Sequence, residues 1–173
     1  MILKGKKAVL RTVSVEDTDN IIRWRNTDAV RNNFVFRSLL TKKVHLQWMS
    51  EKVAKKKVYQ FIIVDAKENK DVGSVYLRDV DRVNRHAEFG IFIGEPSARG
   101  KGLGAEAARL ITDFAFNKLK LNRIFLRVFS DNVKAIKSYK AAGFKTEGIF
   151  REHYRIGGQY KDMTFMGRLK GEK

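Results

Sequence analysis

The fold is decided by the stretch Phe89-Gly90-Ile91-Phe92-Ile93-Gly94-Glu95-Pro96-Ser97-Ala98-Arg99-Gly100-Lys101-Gly102-Leu103-Gly104-Ala105. An apolar run ends, a short loop follows, and three glycines alternate where apolar residues begin to recur at helical spacing. Glycine lets backbone N–H groups approach a ligand closely, and the first turn of a helix offers unpaired donors at the positive end of its dipole. The stretch therefore predicts a strand, a loop and a helix that together bind an anion, with Arg99 and Lys101 adding charge at the rim.

The sequence on both sides of this loop predicts a single α+β domain over residues 1–173. Before the loop, alternation and short spacings predict an antiparallel meander of three strands, preceded by one strand and two helices. After it, the pattern continues as helix, strand, helix and a final pair of strands around Gly157-Gly158. This order is typical of an α+β or mixed three-layer domain and not of a doubly wound parallel sheet. The predicted strands are 8–13, 58–65, 72–80, 86–93 and 123–129, and the predicted helices are one that begins at 14–17, then 41–56, 103–118 and 133–142.

The composition excludes several classes of protein. The chain has 36 Lys and Arg residues against 19 Asp and Glu residues, and its formal charge of +17 favours phosphorylated or otherwise anionic partners. It has no cysteine, which excludes disulfides and thiol nucleophiles, and its three histidines are far apart in sequence, so we expect no metal site. Apolar runs reach about five residues, whereas a membrane helix needs roughly 20, and the first residues lack a signal-peptide pattern. We expect a soluble, cytoplasmic protein.

Four interpretations of the glycine-rich loop compete. A Walker A loop has four residues before its Gly-Lys and then a hydroxyl residue, but here five residues intervene and Gly102 takes the place of the hydroxyl. A dinucleotide-binding fingerprint fits Gly102, Gly104 and Ala107, but it belongs to the first βαβ unit of a parallel sheet. A plain tight turn requires fewer glycines. Residues 99–104 match the fourth pattern, the R-x-x-G-x-G pyrophosphate loop of acetyl-CoA-dependent acetyltransferases.

A second motif extends this match, and the chain resembles the GNAT acetyltransferase superfamily over essentially its whole length. The segment Asn132-Val133-Lys134-Ala135-Ile136-Lys137-Ser138-Tyr139-Lys140-Ala141-Ala142-Gly143-Phe144 is similar to the signature N-x-x-A-x-x-x-Y-x-x-x-G-F. The stretch Ala87-Glu88-Phe89-Gly90 and the end of the chain resemble the branch with ribosomal-protein and polyamine acetyltransferases. Trp24-Arg25-Asn26, with Arg31, His45 and Trp48, resembles amino-sugar acetyltransferases. The resemblance implies a GNAT-like three-layer α/β/α domain with a central, mostly antiparallel, splayed mixed sheet.

The resemblance also implies a site for acetyl-CoA as co-substrate. Strand 91–93 would splay from strand 123–129, which frees backbone groups for the pantetheine arm and an N–H of Phe92 or Ile93 for the thioester oxygen. Asn132 would cap its helix and contact CoA, and the phenol of Tyr139 would protonate the departing thiolate, although a half-buried packing role would fit Tyr139 as well. The expected cofactor-binding residues are Ile91, Phe92, Ile93, Arg99, Gly100, Lys101, Gly102, Leu103, Gly104, Ala105, Asn132, Ala135 and Tyr139.

The acceptor is expected to be a primary amine, which must lose its proton before it attacks the thioester. Glu88 is the candidate base, with an ion pair to Arg85 or Arg127 as the alternative, and His86 lies on the same face of the strand. The first part of the chain would cover the acceptor, so the expected substrate contacts are Trp24, Arg25, Asn26, Arg31, His45 and His86, unless the tryptophan only packs in the core. Arginine forks and aromatic faces favour a nucleotide-linked amino sugar, with a protein N-terminal amine as the alternative, and the charge disfavours a polyamine.

A basic RNA-binding module is the alternative from another class of function. Aromatic and cationic residues alternate at 34–37 and 151–155, which would suit stacked nucleotides. However, no RNA-binding signature is present and the charge is spread along the chain. We therefore expect an enzyme that acts on a small-molecule or protein amine, with no membrane partner and with nucleic acid met only through a ribosomal substrate. The final hairpin is a candidate contact in a homodimer.

Overall fold

The computed structural model describes residues 1–172, in which eight strands form one sheet. The strands are β1 (Ile2–Lys4), β2 (Ala8–Thr12), β3 (Tyr59–Asp65), β4 (Lys70–Asp81), β5 (His86–Ile93), β6 (Arg123–Phe129), β7 (Lys145–Ile156) and β8 (Gln159–Leu169). Their order across the sheet is β1-β2-β3-β4-β5-β6-β8-β7. All neighbouring pairs are antiparallel except β5 and β6, which are parallel. The sheet is therefore mixed and mostly antiparallel, as predicted.

Five α-helices cover the two faces of this sheet. They are α1 (Thr18–Asn26), α2 (Asp28–Arg31), α3 (Lys42–Trp48), α4 (Leu103–Asn117) and α5 (Val133–Ala141). The apolar side of α4, with Ala107 and Ile111, is buried together with Phe89 in the larger core cluster, against which α5 also packs. Trp24 of α1 and Phe92 belong to a second cluster on the other face. Because successive strand residues point to opposite faces, β5 contributes to both clusters, and the result is three layers.

The sheet opens between β5 and β6. The two strands pair only over three residues, where His86, Ala87 and Glu88 lie beside residues 123–125 of β6. Beyond this point, β5 stays paired with β4 and β6 stays paired with β8. The second half of β5, residues 89–93, therefore presents backbone groups to a gap in the sheet. This gap, which we call the split, confirms the splayed sheet that the resemblance implied.

The structure departs from the predicted elements in three places. The short edge strand β1 and the single-turn helix α2 were not predicted, because three or four residues carry too little periodicity to be recognised. The helix predicted over 41–56 ends at Trp48 and continues as a wider turn, Met49–Val53, in which Ala54 N–H donates to the carbonyl of Met49 five residues earlier. None of the helices within residues 1–172 is long and apolar enough to cross a membrane.

Candidate active site

The glycine-rich loop forms an open cradle of backbone donors at the start of α4. Gly100 and Gly102 have φ angles of +77° and +84°, a region that glycine enters without strain. The N–H groups of residues 100–105 donate no hydrogen bond to any part of the chain that the structure describes, and the first bonded amide in this helix is that of Glu106. Such free amides at the positive end of a helix of this length suit a pyrophosphate.

The two cations predicted at the rim of this loop are already engaged. The guanidinium of Arg99 donates to the carbonyl oxygens of Ile93 and Gly94, at 3.1 and 3.4 Å. It therefore holds the end of β5 against the loop. The ammonium of Lys101 lies 2.8 Å from a carboxylate oxygen of Glu68. Both side chains keep positive charge near the cradle, but the donors that remain free are the backbone amides.

Helix α5 brings the second motif to the split. Asn132 caps this helix, because its Oδ1 accepts from the backbone N–H of Ala135 at 3.2 Å, as predicted. Its Nδ2 donates to Oδ1 of Asn33 at 2.9 Å and so joins α5 to the loop that follows α2. Tyr139 packs edge-on against Phe89, with 5.8 Å between ring centroids, and its hydroxyl makes no hydrogen bond within residues 1–172. Burial raises the pKa of Tyr139 above its ordinary value, so this phenol keeps its proton at neutral pH.

The opposite side of the split carries a group of polar residues that we call the acceptor face: Arg25, Tyr76, Arg78, Glu88 and Arg127. Tyr76 lies opposite Gly90 in the β4–β5 pair, and its ring occupies the space that a Cβ at position 90 would need. Arg78 and Arg127 flank Glu88 from the neighbouring strands β4 and β6. This face therefore holds three guanidinium groups and one carboxylate around the middle of β5.

Glu88 is held in two ion pairs, which corrects its predicted role as the base. Its carboxylate accepts from Arg78 at 2.9 and 3.2 Å and from Arg127 at 3.0 and 3.1 Å, and the residue is only 6% exposed. Burial alone would raise the pKa of Glu88, but the hydrogen bonds from Arg127 and Arg78 outweigh it and hold the pKa below its ordinary value. A carboxylate in this state is a poor proton acceptor. The alternative prediction, a pair with Arg127, is the one that the structure supports.

Two of the predicted substrate contacts serve the packing of the N-terminal helices instead. Trp24 is 1% exposed, its indole N–H donates to Glu95 at 2.7 Å, and its ring fills the space where a Cβ on Gly94 would lie. The amide of Asn26 donates to and accepts from the backbone of Leu40, at 3.0 and 2.7 Å. Neither side chain is free to contact a substrate, because Trp24 is a core residue and Asn26 fastens a loop.

The remaining predicted contacts lie in different places. His45 is 3% exposed between α3 and α1, its Nδ1 lies 3.1 Å from the Thr18 hydroxyl, and burial lowers its pKa, so the prediction that it binds substrate is wrong. Arg31 pairs with Asp28 on its own helix turn. His86 shares a strand face with Glu88, as predicted, but it stands at the closed end of the split. Within residues 1–172, no group of three His, Asp or Glu side chains is arranged to hold a metal ion.

A cavity of about 580 Å³ lies at the end of β6, where its lining residue Phe129 follows Arg127 of the acceptor face by two positions and so shares its face of the strand. It lies between the loop after α2, the end of β6 and the turn between β7 and β8. The guanidinium of Arg37 lies over the ring of Phe129 in its wall, with 5.8 Å from Cζ to the centroid. The space is continuous with the region where Asn33 meets Asn132 and is large enough for the body of a small acceptor. Its lining residues are Asn32, Asn33, Arg37, Phe129, Asp131, Ile156, Gly157, Gln159 and Lys161.

Tyr76 and Arg78 were not predicted from the sequence as residues of the site. A signal for both was present, because Ser74, Tyr76 and Arg78 are polar residues that alternate with the buried Val75 and Leu77. In a strand of period two, such an alternation marks a face that points away from the apolar core. What the sequence did not show is which helices cover that face.

The cradle, the split and the unbonded phenol of Tyr139 lie together in one site, and the chain that forms them matches a known family. Residues 7–145 match the family model described as an acetyltransferase (GNAT) domain. The chain belongs to the GNAT acetyltransferase family. It is therefore an acetyl-CoA-dependent N-acetyltransferase, as the resemblance implied.

Two of the relatives of this GNAT protein described here are named for an acceptor. It is 29% identical over 175 residues to the probable N-acetyltransferase YjcK of Bacillus subtilis, covering 97% of each chain. It is 39% identical to spermidine N(1)-acetyltransferase of Escherichia coli over an aligned region of 99 residues. That region covers 57% of this chain and 53% of the relative. Among solved structures, spermidine N-acetyltransferase of Vibrio cholerae in complex with CoA and spermine has a TM-score of 0.89 and 26% identity, and covers 97% of this chain and 98% of that one.

Proposed function

We propose that this enzyme transfers the acetyl group directly from the thioester to a primary amine, with both substrates bound at once. The observation that carries the proposal is the meeting of three features at the split: the unbonded loop amides, the open strand edge of β5 and the unbonded hydroxyl of Tyr139. The chain contains no cysteine to form a thioester intermediate. Direct attack needs only that the two substrates be held at the right distance and angle.

The residues at the split fit CoA. Its pyrophosphate would accept hydrogen bonds from the amides of residues 100–105, and its pantetheine arm would pair with the free edge of β5. An N–H of Phe92 or Ile93 would donate to the thioester oxygen and stabilise the negative charge that develops there. Asn132 and Ala135 would flank the arm from the start of α5. The bound acetyl-CoA supplies an activated acyl group with a thiolate leaving group.

Tyr139 supplies the proton for the leaving sulfur in this proposal. A phenol is protonated at neutral pH, and burial, which raises the pKa of Tyr139, keeps it so; the hydroxyl can therefore donate to the sulfur as negative charge builds up. Its ring is fixed by packing against Phe89 and Phe144. The hydroxyl therefore acts in the transition state and contributes little to the binding of acetyl-CoA before reaction.

The acceptor amine must arrive without its proton, and Glu88 is not available to remove it. The three guanidinium groups of the acceptor face offer a different route. Positive charge close to an ammonium group disfavours its charged form and lowers its pKa. The neutral amine is thereby more abundant at the site than in bulk water, and water in the cleft takes the ammonium proton. After attack, the nitrogen loses a second proton as the amide forms. This proton returns through water in the cleft to Tyr139, which has given its own to the leaving thiolate.

Two observations bear on the identity of the acceptor, and they point in different directions. The names of two relatives favour a polyamine such as spermidine, and none of the relatives described above is named for the nucleotide-linked amino sugar expected from the sequence. The charge of this chain, +17 overall, favours an acceptor that is not itself a polycation. The names of the relatives concern the acceptor itself and outweigh the overall charge, so we treat spermidine as the first acceptor to assay and a peptide N-terminal amine as the second.

The proposal is tested by steady-state kinetics with a thiol-release readout. Purified protein is given acetyl-CoA and, in separate arms, spermidine, a peptide that begins with serine and a nucleotide-linked amino sugar. Acetyl-CoA and the best acceptor are then varied together. Direct transfer predicts intersecting double-reciprocal lines, whereas parallel lines would show a covalent intermediate and contradict the mechanism. An absence of acetyl-CoA binding would contradict the proposed function as a whole.

A further inference from the structure

Arg25 occupies a fixed position above the split. Its guanidinium stacks on the ring of Phe34, with 3.4 Å from Cζ to the ring centroid. Phe34 in turn packs edge-on against Phe92, whose backbone lies in the free half of β5, at 6.1 Å between centroids. A stacked guanidinium has little rotational freedom left to lose. Arg25 is therefore pre-oriented on the acceptor side of the strand that would hold the thioester.

Arg25 also differs from the other two arginines of the acceptor face, and from Arg11 and Arg123 of the sheet, because it has no carboxylate partner in the described part of the chain. Arg11 pairs with Asp17 and Asp71, Arg78 and Arg127 pair with Glu88, and Arg123 pairs with Glu147. Arg25 has no such ion pair within residues 1–172. Its Nη2 donates to the carbonyl of Phe36 at 3.0 Å, and its Nη1 is buried without a partner.

An unpaired, half-buried guanidinium is costly, which is a reason to expect an anion beside it. Burial lowers the pKa of Arg25, but a guanidinium stays protonated at any physiological pH. Charge removed from water without a counter-charge is a clear loss of stability. The acceptor face has no free carboxylate to balance the charge of Arg25, because its one carboxylate, Glu88, already binds Arg78 and Arg127.

Tyr76 provides a second donor at the same place. Its ring lies against Gly90, which is two residues before Phe92 on the same face of β5, and its hydroxyl makes no hydrogen bond within residues 1–172. Burial raises the pKa of Tyr76, so it is a donor at neutral pH. A guanidinium and a phenol that both lack an acceptor, on the same side of one strand, match the two oxygens of a carboxylate or phosphate.

We propose that Arg25 and Tyr76 bind an oxyanion, a carboxylate or phosphate group, that the amine acceptor carries near its amino group. This inference rests on the proposed function, direct transfer to a primary amine, and it predicts an anionic amine as the acceptor in place of spermidine. The anion fixes the acceptor on the acceptor face and leaves its amine directed to the split. The cavity lined by Asn33, Arg37 and Phe129 accommodates the remainder of the molecule.

The experiment compares small primary amines of similar length with and without an anionic group, and includes spermidine as a polycationic acceptor. Thiol release is measured with O-phosphoethanolamine, β-alanine, ethanolamine and spermidine, and the phosphate and carboxylate arms distinguish the two sources of the oxyanion. We expect kcat/KM for at least one anionic acceptor to exceed that for ethanolamine about tenfold or more, the effect of one charge-assisted hydrogen bond. A kcat/KM for spermidine or for ethanolamine that equals or exceeds the values for both anionic acceptors would overturn the inference.

Variants connect the preference to Arg25. The substitution Arg25→Gln should remove the preference chiefly by raising KM for the anionic acceptor, and Arg25→Lys should restore part of it. The matched control is Arg109→Gln, which removes an exposed arginine of α4 far from the acceptor face and should keep the preference. Retention of the preference in Arg25→Gln would overturn the inference. Binding of CoA and the melting temperature show that each variant is folded.

A binding measurement covers the case in which none of the four amines is a substrate. Inorganic phosphate is added to protein saturated with CoA, so that the glycine-rich loop is already filled, and the melting temperature is recorded. The inference predicts stabilisation in the wild type and in Arg109→Gln but not in Arg25→Gln. No stabilisation, or equal stabilisation in all three, overturns it. Failure of CoA itself to bind would instead count against the proposed function.

Discussion

The two sides of the split differ in how their residues relate to the predicted function. On the side of α4 and α5, the motif positions act through backbone geometry and helix caps, as in the positive φ of Gly102 and the cap at Asn132. On the side of α1 to α3, tryptophan, asparagine and histidine were predicted to touch substrate, yet Trp24, Asn26 and His45 hold the helices and loops in place. A motif that constrains the backbone has few alternative uses, whereas a polar or aromatic side chain has many.

The largest effect is expected on the CoA side, from Tyr139→Phe. Loss of the hydroxyl should lower kcat about 100-fold, because a positioned acid contributes at least this much, and should leave KM for acetyl-CoA nearly unchanged. The kinetics should be measured over a range of pH. The control is Tyr160→Phe, which changes an exposed tyrosine of the final hairpin. A Tyr139→Phe enzyme with normal kcat at every pH would return this residue to a packing role and weaken the contrast between the two sides.

The next largest effect concerns stability on the acceptor face. Glu88→Gln should lower the free energy of unfolding by about 2 kcal/mol, because Arg78 and Arg127 would face each other without their shared carboxylate. The same substitution at Glu147, whose pair with Arg123 is more exposed, should cost less than about 1 kcal/mol. Chemical denaturation at neutral pH measures both.

The stability that the ion pairs of Glu88 contribute should depend on pH. The folded-state pKa of Glu88 lies below its ordinary value of 4.5, so the pair stabilises the protein fully at pH values above that ordinary pKa. The stabilisation is lost as the pH falls through the lower, folded-state pKa. The difference between wild type and Glu88→Gln should therefore shrink on acidification. A difference that grew under acid would contradict the ion-pair assignment.

A smaller effect is expected from Gly104→Val in the glycine-rich loop. Space exists for a side chain here, since a Cβ would lie 3.8 Å from the nearest atom, the Ser138 hydroxyl oxygen. The fold should therefore tolerate valine. The side chain should keep CoA from approaching the backbone of the loop, so that the Kd for CoA rises about tenfold, which is a loss of about 1.4 kcal/mol of binding free energy. Gly148→Val is the matched control, because Gly148 lies within β7 at a point where a Cβ would meet no atom within 4 Å, and it should leave the Kd unchanged. Equal Kd values would remove the loop from the CoA site.

The smallest effect is expected from Asn26→Ala, which tests the acceptor side. Loss of the two hydrogen bonds to Leu40 should lower the free energy of unfolding by about 1 kcal/mol. The acceptor KM should stay near that of the wild type. Asn20 of the same helix, which is half-buried and whose Oδ1 accepts from Arg23 at 3.3 Å, serves as control, and Asn20→Ala should change neither quantity by much. A large rise in acceptor KM at unchanged stability would show that Asn26 contacts substrate after all.

The sequence predicted the fold well wherever an element was long and periodic. The helix that begins at Leu103 and the strand 123–129 were predicted to within a residue, because their apolar positions recur over several turns or pairs. The edge strand β1 was missed, since three residues show no pattern. In the site, the loop and Asn132 were predicted from spacing. Tyr76 was not, because its role depends on Gly90 of the neighbouring strand, a pairing that only the register of β4 and β5 reveals.

The central claim is that CoA binds through the backbone amides of residues 100–105. These amides make no hydrogen bond in the described part of the chain, so their hydrogen exchange should be fast in the free protein. Amide exchange measured with and without saturating CoA tests the claim most directly. Our account predicts strong slowing at residues 100–105, together with slowing at Phe92 or Ile93, when CoA is bound. Saturation with CoA that leaves exchange at residues 100–105 unchanged would contradict it.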